Sequence, residues 1–160
     1  MDPAELTDCF DRNSAALLLY ARQWLERSAA EDIVQEAFVR LMLVRSEPDN
    51  LRAWLYRATR NLAIAQWRSN KRRQRRETAA ARDEPVFQEC GDHDGQIAAR
   101  FLNQLPHGQR EVIVLRIWGQ LKLAEIAAVT GLAVSSVFHQ YQQGLREIRR
   151  KMGVPCPNHD

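Results

Sequence analysis

The sequence predicts an all-α protein that consists of two small helical domains. Apolar residues recur at helical spacing over long stretches, and no Asn-Gly or Asp-Gly turn joins two alternating apolar runs. An apolar fraction of 45% is typical of a folded globular chain. The predicted helices span about 4–26, 30–44, 51–72, 95–104, 109–118, 122–130 and 134–151.

A change in composition divides the chain. The stretch from 74 to 96 is polar, contains Pro85 and Gly91, and has no sustained apolar stripe, which is typical of a linker. The predicted organisation is therefore a first domain at 1–73, a linker at 74–96, a second domain at 97–152 and a tail at 153–160.

The predicted second helix has two distinct faces. An apolar face carries Val34, Phe38, Leu41 and Met42 at helical spacing, which predicts burial of all four. A second face carries an acidic and amide-bearing ridge, which fits either a docking surface for a basic partner or ordinary helix surface. The ridge consists of Asp32, Gln35 and Glu36.

The predicted third helix is strongly basic. Asp49 or Asn50 is a suitable N-cap for it, and residues 51–76 include nine basic residues and no acidic residue. Cations beside aromatic and amide groups suit single-stranded or opened DNA, where they hold phosphates while rings and amides meet unstacked bases. The alternative is that Trp54 and Trp67 belong to the core and that the arginines form a solvated tail. The apolar stripe is predicted at Leu51, Leu55, Ala58 and Leu62, and the neighbouring face at Trp54, Arg57, Asn61 and Arg68.

The second domain contains the pattern of a helix-turn-helix. An apolar stripe that includes Ile126 and Ala127 ends at Gly131, which can adopt the left-handed conformation of a tight turn. Val134 and Val137 then begin a new helix. In this motif the second helix can lie in a DNA major groove, so nucleic acid is the predicted partner.

Several classes of function are disfavoured. No apolar run approaches the length of a membrane span, so we expect a cytoplasmic protein without membrane insertion. No recognisable nucleophile or metalloprotease motif surrounds the four histidines, so we expect neither enzymatic activity nor a cofactor. A zinc site is an alternative to coincidental spacing, because two C-x-x-H pairs supply the four ligands that such a site needs. Its ligands would be Cys90, His93, Cys156 and His159.

Taken together, three segments resemble an extracytoplasmic-function (ECF, group IV) sigma factor of bacterial RNA polymerase. AEDIVQEAFVRL at 30–41 resembles the D-x-x-Q-E-x-F helix of that family, and the segment at 50–73 resembles its basic helix. LPHGQREVIVLRIWGQLKLAEIAAVTGL at 105–132 resembles the opening of its second domain. The resemblance implies a sigma region 2-like bundle and a sigma region 4-like helix-turn-helix.

The resemblance also implies partners and site residues. Asp32, Gln35 and Glu36 would bind core RNA polymerase, and a loop at 46–50 would lie near an extruded base of the melted minus-10 element. An anti-sigma factor is a further implied partner. The implied minus-10 residues are Asn50, Arg52, Arg57, Asn61, Gln66, Arg68, Lys71 and Arg72. The implied minus-35 residues are Ser135, Ser136, Phe138, His139, Gln140, Gln142, Gln143, Arg146 and Arg149.

The predicted recognition helix departs from the family pattern. Four positions that are usually basic in relatives are Phe138, Gln140, Gln143 and Leu145 here, and Ala65 stands where many relatives carry Asp. Each lost phosphate contact should weaken DNA binding. This departure supports one alternative to a sigma factor, a sigma-like protein-interaction module. A second alternative is a helix-turn-helix regulator that acts without polymerase.

Overall fold

In the computed structural model, residues 2–77 and 99–153 are described, and all their regular structure is helical. The chain divides into two compact units, residues 1–86 and 87–160. The first unit contains α1 (Pro3–Ala21), α2 (Arg27–Leu43) and α3 (Leu51–Glu77), and the second contains α4 (His107–Ile117), α5 (Leu123–Thr130) and α6 (Val134–Met152). A short helical segment at 99–103 precedes α4.

In the first unit, α1, α2 and α3 all pack against one another. Tyr20 and Tyr56 are fully buried, and their rings meet edge to face with centroids 5.3 Å apart. Aromatic pairs in this geometry add to the stabilisation from burial alone. The buried stripe of α3 differs in part from the prediction, because Leu51, Ala58 and Leu62 are only half-buried. Its buried residues are Leu55, Tyr56, Thr59 and Ala63.

The turn between α1 and α2 is longer than predicted, so the predicted bounds of both helices are wrong at this point. We expected the first helix to reach about 26 and the second to begin at about 30, but α1 ends at Ala21 and α2 begins at Arg27. The Glu26 side chain accepts a hydrogen bond from the Ala29 amide and so caps α2. Trp24 packs edge to face on Tyr20, with ring centroids 5.2 Å apart, and this contact holds the turn against the bundle.

The second unit has α6 packed against both α4 and α5. The side chains of Val112, Ile113, Val114 and Leu115 in α4 are fully buried, as are Ile126 of α5 and Val137 of α6. At one end of the unit, Lys151 Nζ donates a hydrogen bond of 2.8 Å to Gln104 Oε1, which joins α6 to the turn before α4.

Two predicted segments fall mainly outside the described residues. The last turn of α3 occupies residues 74–77 of the predicted linker, because Gln and Arg favour helix and no breaker intervenes. The rest of that linker, the start of the helix predicted at 95–104, and the tail beyond Gly153 lie outside the described residues.

Candidate polymerase and nucleic-acid interfaces

The outward face of α2 brings together the three residues of the predicted ridge. Asp32, Gln35 and Glu36 are all exposed on consecutive turns of this helix. Glu36 Oε1 accepts a hydrogen bond of 2.8 Å from Arg40 Nε, so one carboxylate of the ridge is paired within the helix. The ridge remains accessible to a partner, since exposed pairs at this spacing are weak.

An apolar strip continues this face towards the C-terminus of α2. Val39, Met42 and Leu43 are exposed, Met42 by 56% and Leu43 by 77%. The predicted burial of Met42 is therefore wrong. Val34, Phe38 and Leu41 are buried as predicted, but Met42 lies one residue, about 100°, further round the helix from Leu41. Large exposed apolar side chains beside polar ones are typical of a protein-binding surface.

A shallow groove between α1 and α2 borders the same ridge. Its volume is about 170 Å³, and Gln35 lies at its edge. The groove is mostly apolar, so it can accept a side chain of a partner docked on α2. Its lining residues are Phe10, Ser14, Ala15, Leu18, Glu31, Val34 and Gln35.

The predicted minus-10 residues lie along α3 and at its start, and all of them are exposed. Asn50 is the N-cap, because its Oδ1 accepts a hydrogen bond of 3.0 Å from the Ala53 amide. Gln66 Nε2 donates a hydrogen bond of 3.2 Å to Asn70 Oδ1. The cations among the predicted minus-10 residues therefore all lie on a single helix, and Arg57 and Arg68 are open to solvent.

Arg52 occupies a different setting from the other cations of α3. It borders an open, mixed-charge groove of about 410 Å³ that also contains Glu47 of the loop before α3. The thiol of Cys9 lies in the same groove, and burial raises its pKa above the usual range. The full lining is Glu5, Asp8, Cys9, Arg12, Asn13, Glu47, Leu51 and Arg52.

The two tryptophans of α3 differ in burial. Trp54 is half-buried, whereas Trp67 is 37% exposed and does not belong to the core. Lys71 Nζ lies 4.3 Å from the centroid of the Trp67 ring, in a cation–π contact. Trp67 was absent from the predicted site residues, although its position among the arginines signals an aromatic contact for a nucleobase.

The helix-turn-helix is confirmed in the second unit. Helices α5 and α6 are bent by 106° relative to one another, and Gly131 at the C-cap of α5 has a left-handed φ of 76°. The Lys122 amide donates a hydrogen bond of 2.6 Å to Glu125 Oε2, which fixes the first turn of α5. A side chain at 131 would be strained by the backbone conformation, so glycine suits this turn.

The predicted minus-35 residues divide into two groups. Gln143 Oε1 accepts a hydrogen bond of 3.4 Å from Gln109 Nε2 of α4, and the Gln140 amide packs on Gly108, 3.5 Å from where a Cβ would lie. These two glutamines are half-buried against α4. The remaining predicted residues are exposed on α6: Ser135, Ser136, Phe138, His139, Gln142, Arg146 and Arg149.

Gly144 allows α6 and α4 to approach closely. From the sequence, a glycine in mid-helix appears only as a loss of about 1 kcal/mol in helix propensity. In the structure it is buried, and an added Cβ would lie 2.5 Å from Ile113 Cδ1 and 3.4 Å from Gln109 Cβ. The absence of a side chain at 144 therefore sets the distance between the two helices.

The four residues of the minor zinc alternative, Cys90, His93, Cys156 and His159, lie outside the described residues. Within 2–77 and 99–153, no cluster of three or more His, Cys, Asp or Glu side chains could hold a metal ion. In the same ranges no single helix is long and apolar enough to cross a membrane. Helices α5 and α6 reach the length and composition of a span only when taken together, and they are bent by 106° relative to one another.

The geometry defines a helix-turn-helix protein with a second helical unit that carries exposed cations and an exposed acidic–apolar face. Comparison with known families agrees: the chain matches the model described as Sigma-70 region 2 over residues 9–73 and the model described as Sigma-70, region 4 over residues 96–148. The chain belongs to the sigma-70 family, as a member of the extracytoplasmic-function type.

The curated relative that the chain matches has a low sequence identity to it. The chain is 26% identical over 159 residues to a probable RNA polymerase sigma factor, RfaY, of Xanthomonas campestris pv. campestris. That match covers 92% of this chain but 39% of the relative, so the chain spans about two fifths of the length of that curated protein.

Two solved structures share the fold. The sigma factor RpoE in complex with the anti-sigma factor NepR, from Bartonella quintana, aligns with a TM-score of 0.78 at 21% identity, covering 94% of this chain and 97% of that one. CnrH in complex with the cytosolic domain of CnrY aligns with a TM-score of 0.63 at 25% identity, covering 95% and 90%. At 21% identity, the likeness to the Bartonella quintana structure shows the fold alone.

Proposed function

We propose that this chain is a transcription initiation sigma factor that acts in the cytoplasm without catalytic activity of its own. It binds core RNA polymerase, directs it to promoters and helps to melt the minus-10 element. The observation that carries the proposal is that the first unit has two distinct exposed surfaces on different helices. One is the acidic–apolar face of α2, and the other is the row of cations on α3.

The face of α2 is the proposed polymerase-binding surface. Asp32, Gln35 and Glu36 supply charge and hydrogen-bonding groups for a basic partner, and Met42 and Leu43 supply apolar area beside them. Interfaces of this kind gain affinity from a desolvated apolar centre and specificity from complementary charge at the rim. A regulator that acts without polymerase has no need for such a face.

The exposed side of α3 is the proposed surface for the melted minus-10 strand. Cations such as Arg57 and Arg68 hold the phosphates, and the Trp67 ring offers a stacking surface for an unpaired base. The loop at 46–50 lies at the start of the same helix, where an extruded base would be received. Capturing an unstacked base favours sequences that open easily, because unstacking costs a few kcal/mol.

Helix α6 is the proposed reader of the minus-35 element in duplex DNA, with Arg146 and Arg149 on phosphates. An anti-sigma factor is a proposed regulator of the chain. This last proposal is supported by likeness alone, since a related fold was solved as a sigma factor bound to an anti-sigma factor.

The direct test combines polymerase binding with transcription. Purified core enzyme and this chain should co-migrate in gel filtration, and the mixture should give specific run-off transcripts from a broad set of genomic promoter fragments. Binding to duplex DNA without any affinity for core enzyme would instead indicate a helix-turn-helix regulator. Polymerase binding with no DNA binding by either unit would indicate a protein-interaction module.

Variants separate the two surfaces of the first unit. Gln35→Ala combined with Glu36→Lys should weaken binding to core enzyme without loss of helical content, because both side chains are exposed. Asp11→Lys is the matched control, since it also reverses an exposed acid but lies on α1. Equal affinity of the double variant and the control would remove α2 from the interface.

Charge reversal on α3 should have the opposite pattern. Arg57→Glu or Arg68→Glu should abolish promoter opening, measured by permanganate reactivity of unpaired thymines, while binding to core enzyme survives. The control Arg27→Glu makes the same charge change at the start of α2, where Arg27 pairs with Glu31. If both α3 variants opened promoters normally, the proposed path of the melted strand would be wrong.

A further inference from the structure

The outward face of α6 carries no cation over its first three turns. No Lys or Arg occurs between Val134 and Leu145, and the basic residues of this helix begin at Arg146. The side chains exposed on these turns are Ser135, Ser136, Phe138, His139 and Gln142. Any reading of base edges by this part of the helix must therefore use an aromatic ring, an imidazole, hydroxyls and an amide.

Two of the glutamines on α6 lie against α4 and are only half-exposed. Gln143 is held by Gln109 of α4, and the Gln140 amide packs on Gly108. These contacts leave Gln142 as the exposed amide of the helix. Phe138, at 47% exposure, stands one turn before Gln142 on the same side.

The chemistry of these two side chains selects particular bases. A Gln side chain can form two hydrogen bonds with N6 and N7 of adenine, and an apolar ring can contact the methyl group of thymine. Guanine is most often read by Arg or Lys, which this stretch lacks. A groove contact made by Phe138 and Gln142 thus discriminates in favour of A·T pairs.

We propose that α6 selects a duplex element in which adenine faces Gln142 and a thymine methyl faces Phe138. The proposal rests on the proposed function in one respect, namely that α6 enters the major groove. The cations at Arg146 and Arg149 contact phosphates and carry no sequence information.

The test is a binding selection on a randomised duplex, made with the full chain alone and, separately, with the chain bound to core enzyme. We expect the selected pool to contain an adenine and a thymine at adjacent or neighbouring positions. Gln142→Arg should change the preference at the adenine position to guanine, by about 5- to 150-fold, and leave the thymine position unaltered. Phe138→Ala should remove only the thymine preference. Both side chains are exposed, so these variants should keep the helical content of the parent.

Ala128→Arg is the matched control, because it adds the same charge on an exposed position of α5. It should change affinity for all sequences alike, with no new base preference. Guanine at the position sensitive to residue 142 in the parent, or an unchanged preference in Gln142→Arg, would overturn the proposal. Sigma-dependent initiation in the same holoenzyme would then show that the proposed function stands without it. If initiation failed while the chain alone still selected A·T pairs, the base preference of α6 would stand and the proposed function would be wrong.

Discussion

The close contact between α4 and α6 makes a substitution at Gly144 depend on one methyl group in the facing helix. Replacing a mid-helix glycine by alanine normally stabilises a helix by about 0.8–1.0 kcal/mol. Here the new Cβ would lie 2.5 Å from Ile113 Cδ1, whereas carbon atoms in contact are normally about 3.5–4.0 Å apart. Ile113 is fully buried and has little room to move, and overpacking of this kind costs about 1–3 kcal/mol. We expect Gly144→Ala to destabilise the second unit by about 1 kcal/mol net.

Shortening Ile113 should reverse the sign of that effect. Ile113→Val alone should cost about 0.5–1.5 kcal/mol, because it leaves unfilled space in the core. It also removes Cδ1, so that the nearest remaining neighbours of a Cβ at 144 are Ile113 Cγ1 at 3.3 Å and Gln109 Cβ at 3.4 Å. In this background Gly144→Ala should stabilise the unit by up to about 1 kcal/mol, which gives a coupling of about 1–3 kcal/mol between the two sites.

Hydrogen exchange with mass spectrometry is the suitable assay, because peptides from α4 and α6 report on the second unit alone. Opening free energies from the slowest amides of these helices, measured for the parent and the three variants of the cycle, should show the predicted changes in stability. Additive effects, or a stabilising Gly144→Ala in the parent background, would refute the account of the close approach.

Two further predictions concern helix ends. Gly131→Ala should destabilise the helix-turn-helix by about 1–2 kcal/mol, because Ala must then adopt the left-handed φ of 76°; exchange of α5 amides measures it, and an unchanged rate would contradict the turn geometry. Asn50→Ala should cost about 1 kcal/mol through loss of the α3 cap, measured by urea denaturation. Asn50→Asp keeps the cap but adds a negative charge, so it should preserve stability and weaken binding to a minus-10 single strand in filter-binding assays. Equal loss of stability in both variants would mean that capping is not the role of Asn50.

Local signals in the sequence were sufficient for the helix-turn-helix. The position of Gly131 and the apolar residues around it, Ile126 and Val137, depend on spacing along the chain, and the structure confirms the turn and their burial. Asn50 was likewise one of two predicted caps, and its hydrogen bond to the Ala53 amide confirms it. These features involve residues a few positions apart, which is the range over which periodicity and capping rules apply.

Features set by contacts between helices were not predictable in the same way. The early end of α1 depends on the packing of Trp24 on Tyr20, and the value of glycine at 144 depends on Ile113, which lies 31 positions earlier in the chain. The exposure of Met42 depends on which side of α2 faces its neighbours. For α6, the sequence could not tell that Gln140 and Gln143 face α4 whereas Phe138 faces solvent.

The continuity of α3 has a mechanical consequence. The helix is anchored by residues up to Ala63 and then runs without a break to Glu77, so its basic end projects about 20 Å beyond the last buried residue at 1.5 Å per residue. If the first unit rotated by about 10° about Ala63, the basic end of α3 would move sideways by about 3.5 Å, which is more than the length of a hydrogen bond. The orientation in which α2 binds its proposed partner would thus determine whether the arginines at the far end of α3 reach a DNA strand.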